Sequence, residues 1–572
     1  IDHPEDYTAL IRDLKESDRL PDNIVHAFNV LVRNQPTPFD KALKTGYLSL
    51  LYLVQALSAE RVTRHIQVGI FSNDMFNITG YERIEPALAT IHGLSKVVAQ
   101  EFPNLVCRDI DVSLPHTMGN ELSELAKRLL LEFVDRDRQM SIAYRGKRRW
   151  VQEFEPFALE VSNPTSGYLQ EEGVYLITGG LGRIGLKLAN YLANSVRARL
   201  VLIDAFDFPA ADQWDKWTEQ NGAQDVTSIK IKRLQNMKNA GAELLVLKAD
   251  VSDKEALSAA FGQAVQQFGR IDGIIHAAGI VGTHAFKSIP EIKEEDWRSQ
   301  FQAKVYGALN IADIIADREV KFVLLQSSMS SILGGLGFGA YAAANAVLDA
   351  LANLQNRLGK TQWICVNWDG WNFEETNMPT SGLGSEIAQL AILPDEGVAA
   401  FERIFSYLDL DQIIVSTGDL KARVHKWLQI EAAKKEDQTP ETGGELHDRP
   451  DLPNPYVEPE TDLQKQVAAI WQKLLGISQI GIYDDFFDLG GNSLMGTQLI
   501  SELRDAFQVE LPLRSLFEDP TVSGVSKIIE QERSEAQEGE MAKVEDLLKQ
   551  MENMSEEEAK KILEQKKGKN QR

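Results

Sequence analysis

The chain has 572 residues, 43% of them hydrophobic, and a formal net charge of −24 at pH 7. This length exceeds one ordinary domain, and the acidic balance argues against a nucleic-acid partner. No apolar run reaches the ~20 residues that span a bilayer, so we expect no membrane partner either.

The start of the chain and its two cysteines bear on the compartment. The chain begins at Ile1 without a secretory signal, which we interpret as an excised piece or an internal start. Cys107 and Cys365 both lie in apolar, strand-like contexts. We therefore expect reduced core cysteines in a cytoplasmic protein, and no metal site.

Residues 1–167 alternate helical and strand patterns. Residues 45–57 and 85–102 have helical spacing, whereas 65–72 and 106–112 have the pattern of strands. No glycine fingerprint accompanies them. This predicts an α/β unit that binds no cofactor.

Residues 168–430 continue the same rhythm around a glycine-rich turn. Gly180, Gly182 and Gly185 follow an apolar strand at the G-x-G-x-x-G spacing, and Asp204 comes 19 residues after Gly185. Glycines allow a pyrophosphate to approach the main chain at a helix N-terminus, so the pattern predicts a bound dinucleotide. The strands of a parallel, doubly wound sheet are predicted at 174–178, 199–204, 244–248, 272–276, 321–326 and 362–367.

The last part of the chain separates into smaller segments. Residues 431–460 are polar and rich in Pro and Gly, which predicts a flexible linker. Residues 461–531 have helical patterns and are followed by a second polar linker at 532–540. Two short amphipathic helices are predicted in 541–572, the second beginning at a capping box of Ser555 and Glu558.

Four polar side chains could together supply the groups that the reduction of a carbonyl needs. Ser328 ends a predicted strand, Tyr341 and Asn345 lie one turn apart on a predicted helix, and Lys304 lies in an earlier helix. A tyrosine hydroxyl donates a proton well only when a nearby cation stabilises the phenolate, and a serine hydroxyl can hold the substrate oxygen. Taken singly, each residue is better explained as an ordinary helix or strand-end residue.

Several motifs together resemble the short-chain dehydrogenase/reductase superfamily, and within it the ketoreductase domains of modular polyketide synthases. The matching pieces are TGGLGRIG at 178–185, ADVSD at 249–253, HAAGI at 276–280, AKVYGALN at 303–310 and WDGW at 368–371, with the Ser328, Tyr341 and Asn345 spacing. The resemblance implies two Rossmann-like subdomains. Residues 1–167 would be a truncated structural subdomain without cofactor, and 168–430 the catalytic subdomain.

The resemblance also implies the roles of individual residues. Tyr341 would be the general acid, Ser328 would orient the carbonyl, Lys304 would stabilise the phenolate and Asn345 would support a proton relay. Segment 372–393 would be the lid of the pocket, although a solvated loop and helix explain it equally well. The implied cofactor-binding residues are Thr178, Gly179, Gly180, Leu181, Gly182, Arg183, Ile184, Asp204, Asp250, Val251, Ala277, Ala278 and Gly279.

Two departures from the family pattern affect cofactor and product. Asp204 and Ala205 stand where these ketoreductases usually carry an arginine for the 2′-phosphate of NADPH, so we expect NADPH with a relaxed or shifted preference towards NADH. Arg183 would be the alternative phosphate partner. The LDD signature of one product class is absent at Val281–Gly282–Thr283, and the tryptophan of the other is absent at Leu333, which leans towards the L-hydroxy (A-type) product.

The segment DLGGNSL resembles an acyl or peptidyl carrier domain. Its sequence is more similar to the carriers of hybrid peptide/polyketide systems than to fatty-acid carriers. Ser493 would carry 4′-phosphopantetheine, attached by a phosphopantetheinyl transferase, with Asp488 as the acid that precedes it. A serine capping a helix is the alternative for Ser493 alone. Residues 541–572 resemble docking helices that bind a downstream synthase polypeptide, and a solvated charged tail is the alternative.

The resemblance as a whole implies the C-terminal part of a synthase module. The expected reaction is NAD(P)H-dependent reduction of a β-ketoacyl thioester carried on the chain's own carrier domain. Upstream ketosynthase and acyltransferase domains would be its partners. Reduction of an α-ketoacyl unit and a redox-inactive scaffold remain the alternatives.

Overall fold

The computed structural model contains two compact units, one within residues 1–425 and a smaller one within 447–533. For Ser493, Leu494, Thr497, Ser501 and Asp505 only the backbone is described. The structure describes residues 1, 3–30, 38–73, 75–102, 104–115, 119–134, 139–159, 168–280, 286–359, 361–373, 390–405, 407, 409–425, 447–450, 452, 454–491, 493–507, 509, 511, 515–516 and 519–533.

The first half of the larger unit is built on a five-stranded sheet. Its strands are β1 (Asn23–Asn29), β2 (Ile66–Ser72), β3 (Leu105–Val112), β4 (Ser141–Arg145) and β5 (Arg148–Val151), in the order β1-β2-β3-β4-β5. The helices are α1 (Pro4–Glu16), α2 (Phe39–Leu43), α3 (Ser49–Ala59), α4 (Ala89–Glu101) and α5 (Asn120–Leu131), with a π-helical turn at Lys44–Leu48 and a 3₁₀ turn at Pro86–Leu88.

This first sheet is parallel except at one edge. The pairs from β1 to β4 are parallel, whereas β5 runs antiparallel to β4. A tight turn in which Gly146 adopts φ of +60° joins β4 to β5, and so short a connection permits only an antiparallel pair. The purely parallel arrangement expected of a truncated Rossmann-like unit is therefore modified by one hairpin.

The second half contains a seven-stranded parallel sheet. Its strands are β6 (Val174–Thr178), β7 (Arg199–Asp204), β8 (Glu243–Lys248), β9 (Gly273–His276), β10 (Phe322–Ser328), β11 (Gln362–Trp368) and β12 (Gln412–Val415). The order is β12-β11-β10-β9-β6-β7-β8, so the direction of winding reverses between β6 and β9. In a doubly wound sheet this reversal opens a crevice at the carboxyl ends of the strands, where ligands bind.

The sequence predictions for this sheet agree closely with the structure. All six predicted strands are present, with ends that differ by at most two residues. The short seventh strand, β12, is not predicted, because four residues are too few for a clear period.

The helices of the second half cover both faces of the sheet, and a π-helical turn at Gln302–Tyr306 joins two of them. They are α6 (Arg183–Val196), α7 (Trp214–Asn221), α8 (Val226–Asn239), α9 (Lys254–Phe268), α10 (Glu294–Phe301), α11 (Gly307–Ile315), α12 (Ser330–Leu333), α13 (Gly339–Leu358), α14 (Pro394–Ile404) and α15 (Leu420–Val424), with 3₁₀ turns at Ala211–Gln213 and Ile289–Glu291.

Helices α4 and α13 join the two halves of the larger unit. A Cβ atom on Gly93 of α4 would lie 2.5 Å from backbone atoms of Ala342 in α13, so only glycine permits this approach. Residues of α3, α4, α10 and α13 share one hydrophobic core cluster. The helix that carries Tyr341 and Asn345 is therefore packed against the first half of the chain.

The smaller unit is helical. Its helices are α16 (Asp462–Leu475), α17 (Ser493–Phe507) and α18 (residues 522–533). Thr461 and Gln464 form a capping box at the start of α16, and Trp471 packs edge-to-face on Phe486 at 5.0 Å. This agrees with the predicted helical bundle at 461–531.

The structure also shortens the predicted linker. Residues 447–460 were expected to be flexible, but His447 exchanges two backbone hydrogen bonds of 2.8 Å with Gly476 and Ser478. Arg449 binds the buried carboxylate of Asp484 through two hydrogen bonds of 2.7 and 2.8 Å. The Pro-rich composition of this segment predicts a flexible linker, because it gives no sign of the hydrogen bonds that His447 and Arg449 form with residues distant in sequence. The remaining linker residues, 431–446, and the predicted docking helices at 541–572 lie outside the described residues.

Two expected absences concern the described residues only. No helix among them is both long and apolar enough to cross a membrane. No cluster of three or more His, Cys, Asp or Glu side chains in the described ranges is arranged to hold a metal ion. Both cysteines are free and buried.

Candidate active site

The glycine-rich turn joins β6 to α6 at the switch point of the second sheet. Gly179 adopts φ of +63°, and a Cβ on it would lie 2.7 Å from the Ala277 carbonyl oxygen. A Cβ on Gly185 would lie 2.3 Å from the Gly179 carbonyl oxygen. The turn is thus as tight as the fingerprint requires, and the N-terminus of the 14-residue helix α6 opens towards the crevice edge. Gly182 and Arg183 are exposed, whereas Ile184 is half-buried and Leu181 buried.

Asp204 lies at the carboxyl end of the neighbouring strand, β7. One of its carboxylate oxygens accepts a hydrogen bond of 3.3 Å from the backbone N–H of Leu181 in the glycine-rich turn. The side chain is half-buried. A carboxylate in this place can accept a hydrogen bond from a ribose 2′-hydroxyl, whereas it would repel a 2′-phosphate.

The other implied cofactor residues line the same edge. Asp250 is exposed and accepts the N–H and O–H of Ser252, both at 2.8 Å, while Val251 is buried. Ala277, Ala278 and Gly279 follow β9, and the Ala277 N–H donates to the Thr178 carbonyl at 3.0 Å. These features fit a dinucleotide: the glycine-rich turn, the N-terminus of α6 and the carboxylate of Asp204.

Lys304 lies in the π-helical turn Gln302–Tyr306 and is 5% exposed. Its ammonium donates to the Gln326 carbonyl at 2.9 Å and lies 5.3 Å from the centre of the Tyr341 ring. A Cβ on Gly279 would lie 3.2 Å from its Cε, so the cation also borders the predicted cofactor edge. π-Helical turns inside α-helices often occur at functional sites.

His276 fixes the backbone at Lys304, and the sequence analysis assigns it no role. Its Nε2 lies 2.9 Å from the Lys304 carbonyl oxygen and its Nδ1 lies 2.7 Å from the Thr178 hydroxyl. Burial lowers the pKa of His276 to about 4, so the ring is neutral at pH 7. Because a carbonyl can only accept, Nε2–H donates to Lys304 and Nδ1 accepts from Thr178. Its buried place beside two motif residues was the available signal.

Tyr341 stands near the start of α13, half-buried between two phenylalanines. The Phe286 and Phe338 rings meet it edge-to-face at 5.4 and 5.6 Å. The two phenylalanine rings also contact each other, at 4.5 Å. The Tyr341 ring is therefore held by an aromatic wall on one side and has the Lys304 ammonium nearby.

Ser328 and Asn345 each form a hydrogen bond to nearby backbone. The Ser328 Oγ accepts the Ser330 N–H at 3.1 Å, so its own proton is available to a substrate oxygen. Asn345 is fully buried and its Nδ2 donates to the Tyr341 carbonyl at 2.8 Å. Its Oδ1 has no hydrogen-bond donor among the described groups.

Asp349, one helical turn beyond Asn345, organises the strand end that carries Ser328. Its carboxylate accepts from the hydroxyls of Ser327 and Ser331, at 2.8 and 2.6 Å, and from the Asn367 amide at 2.9 and 3.0 Å. The sequence analysis does not single it out. Its spacing of four from Asn345 was a signal that could have found it.

The predicted lid begins and ends on adjacent backbone. The Asn372 N–H donates to the Ile392 carbonyl at 2.9 Å, and the Ile392 N–H donates to Gly370 at 2.7 Å. Trp371 stacks on Phe373 at 5.8 Å. Residues 374–389 of the lid, and the LDD position at 281–283, lie outside the described residues.

In the smaller unit, Ser493 is the first residue of α17. Gly490 adopts φ of +95° just before it, and a Cβ on Gly491 would clash with the Phe486 ring at 2.4 Å. The backbone thus places Ser493 at a helix N-terminus after a tight glycine turn. Asp488 donates its backbone N–H to the Asp485 carboxylate.

Three family models match parts of the chain. Residues 173–372 match the KR domain, 465–529 match the phosphopantetheine attachment site, and 1–128 match a family described as beta-ketoacyl synthase-like, N-terminal. The third description differs from the ketoreductase structural subdomain that the sequence analysis expects for residues 1–167.

The curated relatives are much longer than this chain. It is 24% identical over 425 residues to polyketide synthase PksM of Bacillus subtilis, covering 72% of this chain and 9% of the relative. It is 25% identical over 459 residues to 6-methylsalicylic acid synthase of Aspergillus terreus, covering 76% of this chain and 24% of the relative. The chain thus spans a quarter or less of these relatives.

Solved structures match the larger unit. A ketoreductase from the macrolactin assembly line has a TM-score of 0.59 at 25% identity, over 75% of this chain and 79% of that one. A keto acid-selecting peptide synthetase module has a TM-score of 0.63 at 23% identity, over 75% and 34%. The chain is therefore similar to polyketide synthases, and its match to the KR domain is followed along the chain by its match to the phosphopantetheine attachment site.

Proposed function

We propose that this chain reduces a β-ketoacyl thioester, bound to phosphopantetheine on Ser493, to the β-hydroxyacyl thioester. The observation that carries this proposal is the placement of Lys304 against the Tyr341 ring, at the edge of the sheet that also bears Ser328 and the glycine-rich turn. The ketoreductase and carrier matches support ketoreduction on a carrier-bound chain.

We assign the catalytic work to four side chains. The Ser328 hydroxyl holds the substrate carbonyl oxygen, and the Tyr341 hydroxyl donates the proton to that oxygen. The Lys304 ammonium stabilises the phenolate left behind. Asn345 offers its unpaired Oδ1 to a relay that returns a proton to Tyr341.

We infer that the cofactor is a reduced nicotinamide dinucleotide, NADPH or NADH, and that Asp204 relaxes the usual NADPH preference or shifts it towards NADH. When bound, the reduced nicotinamide supplies the hydride that the carbonyl carbon receives. The glycine-rich turn, Asp204, Asp250 and residues 277–279 would hold the dinucleotide.

We also propose that residues 1–167 are the structural subdomain of the reductase. In support, solved ketoreductases cover about 75% of this chain, which is more than residues 168–430 contain. Helix α4 of this part packs directly on α13. Docking of 541–572 to a downstream polypeptide rests on the sequence pattern alone, and binding of a synthetic 541–572 peptide to candidate partners would test it.

The proposed reaction is tested with diffusible β-ketoacyl and α-ketoacyl thioesters and each reduced cofactor. Oxidation of the cofactor with the β-ketoacyl thioester is expected, and chiral analysis of the product tests the lean to the L-hydroxy isomer. Faster turnover of the α-ketoacyl thioester would favour the alternative substrate. No turnover with either substrate would favour a redox-inactive scaffold.

Ser493 is tested separately by intact-mass analysis after incubation with coenzyme A and a phosphopantetheinyl transferase. The wild-type chain should gain the mass of one arm, and Ser493→Ala should not. Ser478→Ala is a control with one serine removed elsewhere in the same unit, and it should still be modified.

A further inference from the structure

The segment that joins the two catalytic residues Ser328 and Tyr341 has an unusual backbone. This 329–338 connection contains α12 and then the sequence GGLG, in which Gly334, Gly335 and Gly337 adopt φ of 76°, 138° and 76°. Such angles are accessible to glycine but carry no intrinsic preference, so the glycines alone do not hold one conformation. Contacts from other residues must therefore hold the 329–338 connection in place if Tyr341 and Ser328 are to keep their relative positions.

Side chains from the first half of the chain supply these bonds. Gln100, at the end of α4, donates from Nε2 to the Leu333 carbonyl at 2.6 Å and accepts the Gly335 N–H on Oε1 at 2.7 Å. It therefore binds the backbone on both sides of Gly334. A Cβ on Gly334 would lie 2.8 Å from the Gln100 Oε1, so the glycine is also needed for this approach.

Glu101 holds the end of the same connection. Its Oε1 accepts the Gly337 N–H at 2.9 Å, and its Oε2 accepts the Ile289 N–H at 2.7 Å. Ile289 lies three residues from Phe286, whose ring packs on Tyr341. One carboxylate thus joins the start of the tyrosine helix to the segment that bears its aromatic wall.

Lys96, one turn earlier on α4, donates to the Ser331 carbonyl at 2.5 Å. Lys96, Gln100 and Glu101 are 3%, 5% and 1% exposed. Buried polar groups with this number of matched partners fix backbone geometry more strongly than apolar contacts, because losing any partner leaves a buried group unsatisfied.

We propose that Gln100 and Glu101 are positioning residues of the reductase, which hold the 329–338 connection and so set the placement of Ser328 and Tyr341 around the substrate carbonyl. This inference rests on the proposed function, and it gives the first half of the chain a defined part in catalysis. Gln100 also binds the carbonyl of Leu333, the position at which one product class carries its marker tryptophan.

The first test measures hydrogen–deuterium exchange of the full chain. Gln100→Met keeps the side-chain length but removes both hydrogen bonds, and it should speed exchange in peptides that cover 334–338. Glu101→Gln leaves one acceptor for two N–H groups and should speed exchange at Gly337 or Ile289. Gln55→Met is the matched control, since the Gln55 amide binds the Ile289 and Ile292 carbonyls across the same interface, both at 2.9 Å, without touching the connection.

The second test measures catalysis on the diffusible β-ketoacyl thioester. Gln100→Met should lower kcat by about tenfold to a hundredfold and change the ratio of product isomers, because a displacement of ~1 Å in reacting groups costs rates of that order. The KM for the cofactor should stay within about twofold, since the glycine-rich turn is on other elements. Gln55→Met should keep kcat and the isomer ratio.

The outcomes separate this inference from the proposed function. Unchanged exchange at 334–338 in Gln100→Met overturns the inference, whether or not the enzyme is active. Faster exchange with kcat and isomer ratio equal to those of Gln55→Met also overturns it, because the bonds would then be structural only. A wild-type chain without turnover refutes the proposed function, and the exchange data then decide alone whether these side chains hold the connection.

Discussion

Lys304 has an environment that a purely structural lysine would not need. Its ammonium is buried with one carbonyl hydrogen bond and an aromatic ring, although an isolated buried charge is expensive. Among the described residues, these two groups are the Gln326 carbonyl and the Tyr341 ring. A position that keeps a cation beside a phenol at such a cost is best explained by the chemistry of that phenol.

At the same scale, replacing Tyr341 by phenylalanine removes the proposed proton donor and little else. We expect kcat to fall by about 10²- to 10⁴-fold, the usual contribution of a general acid, with cofactor affinity retained. Steady-state rates and cofactor titration measure the two effects. Tyr191→Phe is the control, because Tyr191 lies on α6 and its ring packs on Phe401, apart from the four proposed catalytic side chains. Equal rates for wild type and Tyr341→Phe would contradict the assignment.

Asp204 should decide the choice between the two cofactors. Its carboxylate accepts the Leu181 N–H and leaves no cation from β7 to meet a 2′-phosphate, so kcat/KM for NADH should approach or exceed that for NADPH. Asp204→Ala should shift the ratio about tenfold or more towards NADPH, as expected for loss of one charged hydrogen bond. Asp317→Ala, an exposed position before the amino end of β10 and so at the opposite edge of the sheet, should leave the ratio unchanged. A strong NADPH preference in the wild type would refute this reading of Asp204.

At the scale of elements, the end of α4 should make stability depend on pH. Burial raises the pKa of Glu101 to about 7, although the Ile289 and Gly337 N–H groups partly oppose this. Between the unfolded value near 4.5 and about 7, the folded chain binds more protons than the unfolded chain, so this group lowers stability as pH rises. Denaturant unfolding at pH 5 and 8 should show a larger loss for the wild type than for Glu101→Gln. A pH dependence that is the same in both would contradict the raised pKa.

In the carrier unit, the extended segment before α16 should contribute to stability through one ion pair. Burial tends to raise the pKa of Asp484, but bonds from Arg449, the Gly481 N–H and Asn454 outweigh it, and the pKa lies below its ordinary value. Arg449→Met would leave a fully buried carboxylate without its cation and should destabilise the carrier by about 3 kcal/mol. Hydrogen–deuterium exchange of the carrier peptides in the full chain, together with thermal unfolding, measures this.

Lys473→Met is the matched control for that pair. Lys473 is 76% exposed and binds Glu502 at the surface, so its loss should change stability by less than about 1 kcal/mol. Because the folded Asp484 has a lowered pKa, its contribution is present at neutral pH and is lost as pH falls through that pKa. Equal effects of the two substitutions would show that residues 447–460 are not part of the folded carrier.

The strands of the second sheet and the glycine-rich turn were predictable because period and turn chemistry are local. The bonds of Gln100 to Leu333 and Gly335 join residues more than 200 positions apart, and no local pattern distinguishes Gln100 from a solvated helix residue. Two further contacts were missed for the same reason, because each depends on which elements the fold brings together. They are the hydrogen bond between His276 and Lys304 and the ion pair of Arg449 with Asp484.

For the whole molecule, we expect delivery of the acyl chain to depend on the predicted linker at 431–446. With residues 447–460 bound to the carrier, the predicted linker is reduced to 431–446, and a flexible chain of about 16 residues would have a mean reach on the order of 20 Å. Deleting 431–446 should slow reduction of a substrate loaded on Ser493 and leave kcat/KM for a diffusible thioester unchanged, because only the tethered reaction depends on effective concentration. Intact-mass kinetics of the loaded chain measure the first rate. An equal rate for the deleted and full chains would refute the dependence on the linker.

The close contact of Gly93 with Ala342 has a consequence for anyone who recombines such synthases. The tyrosine-bearing helix α13 packs on α4 of the first half and on β10 and β11 of the second sheet. A chimera joined near residue 167 would therefore pair α13 with a different α4 and lose the close fit of the two backbones. A hybrid chain that keeps everything from α1 to α15 from one parent also keeps the contact between α4 and α13. We therefore expect active hybrids to have their junctions outside the region from α1 to α15.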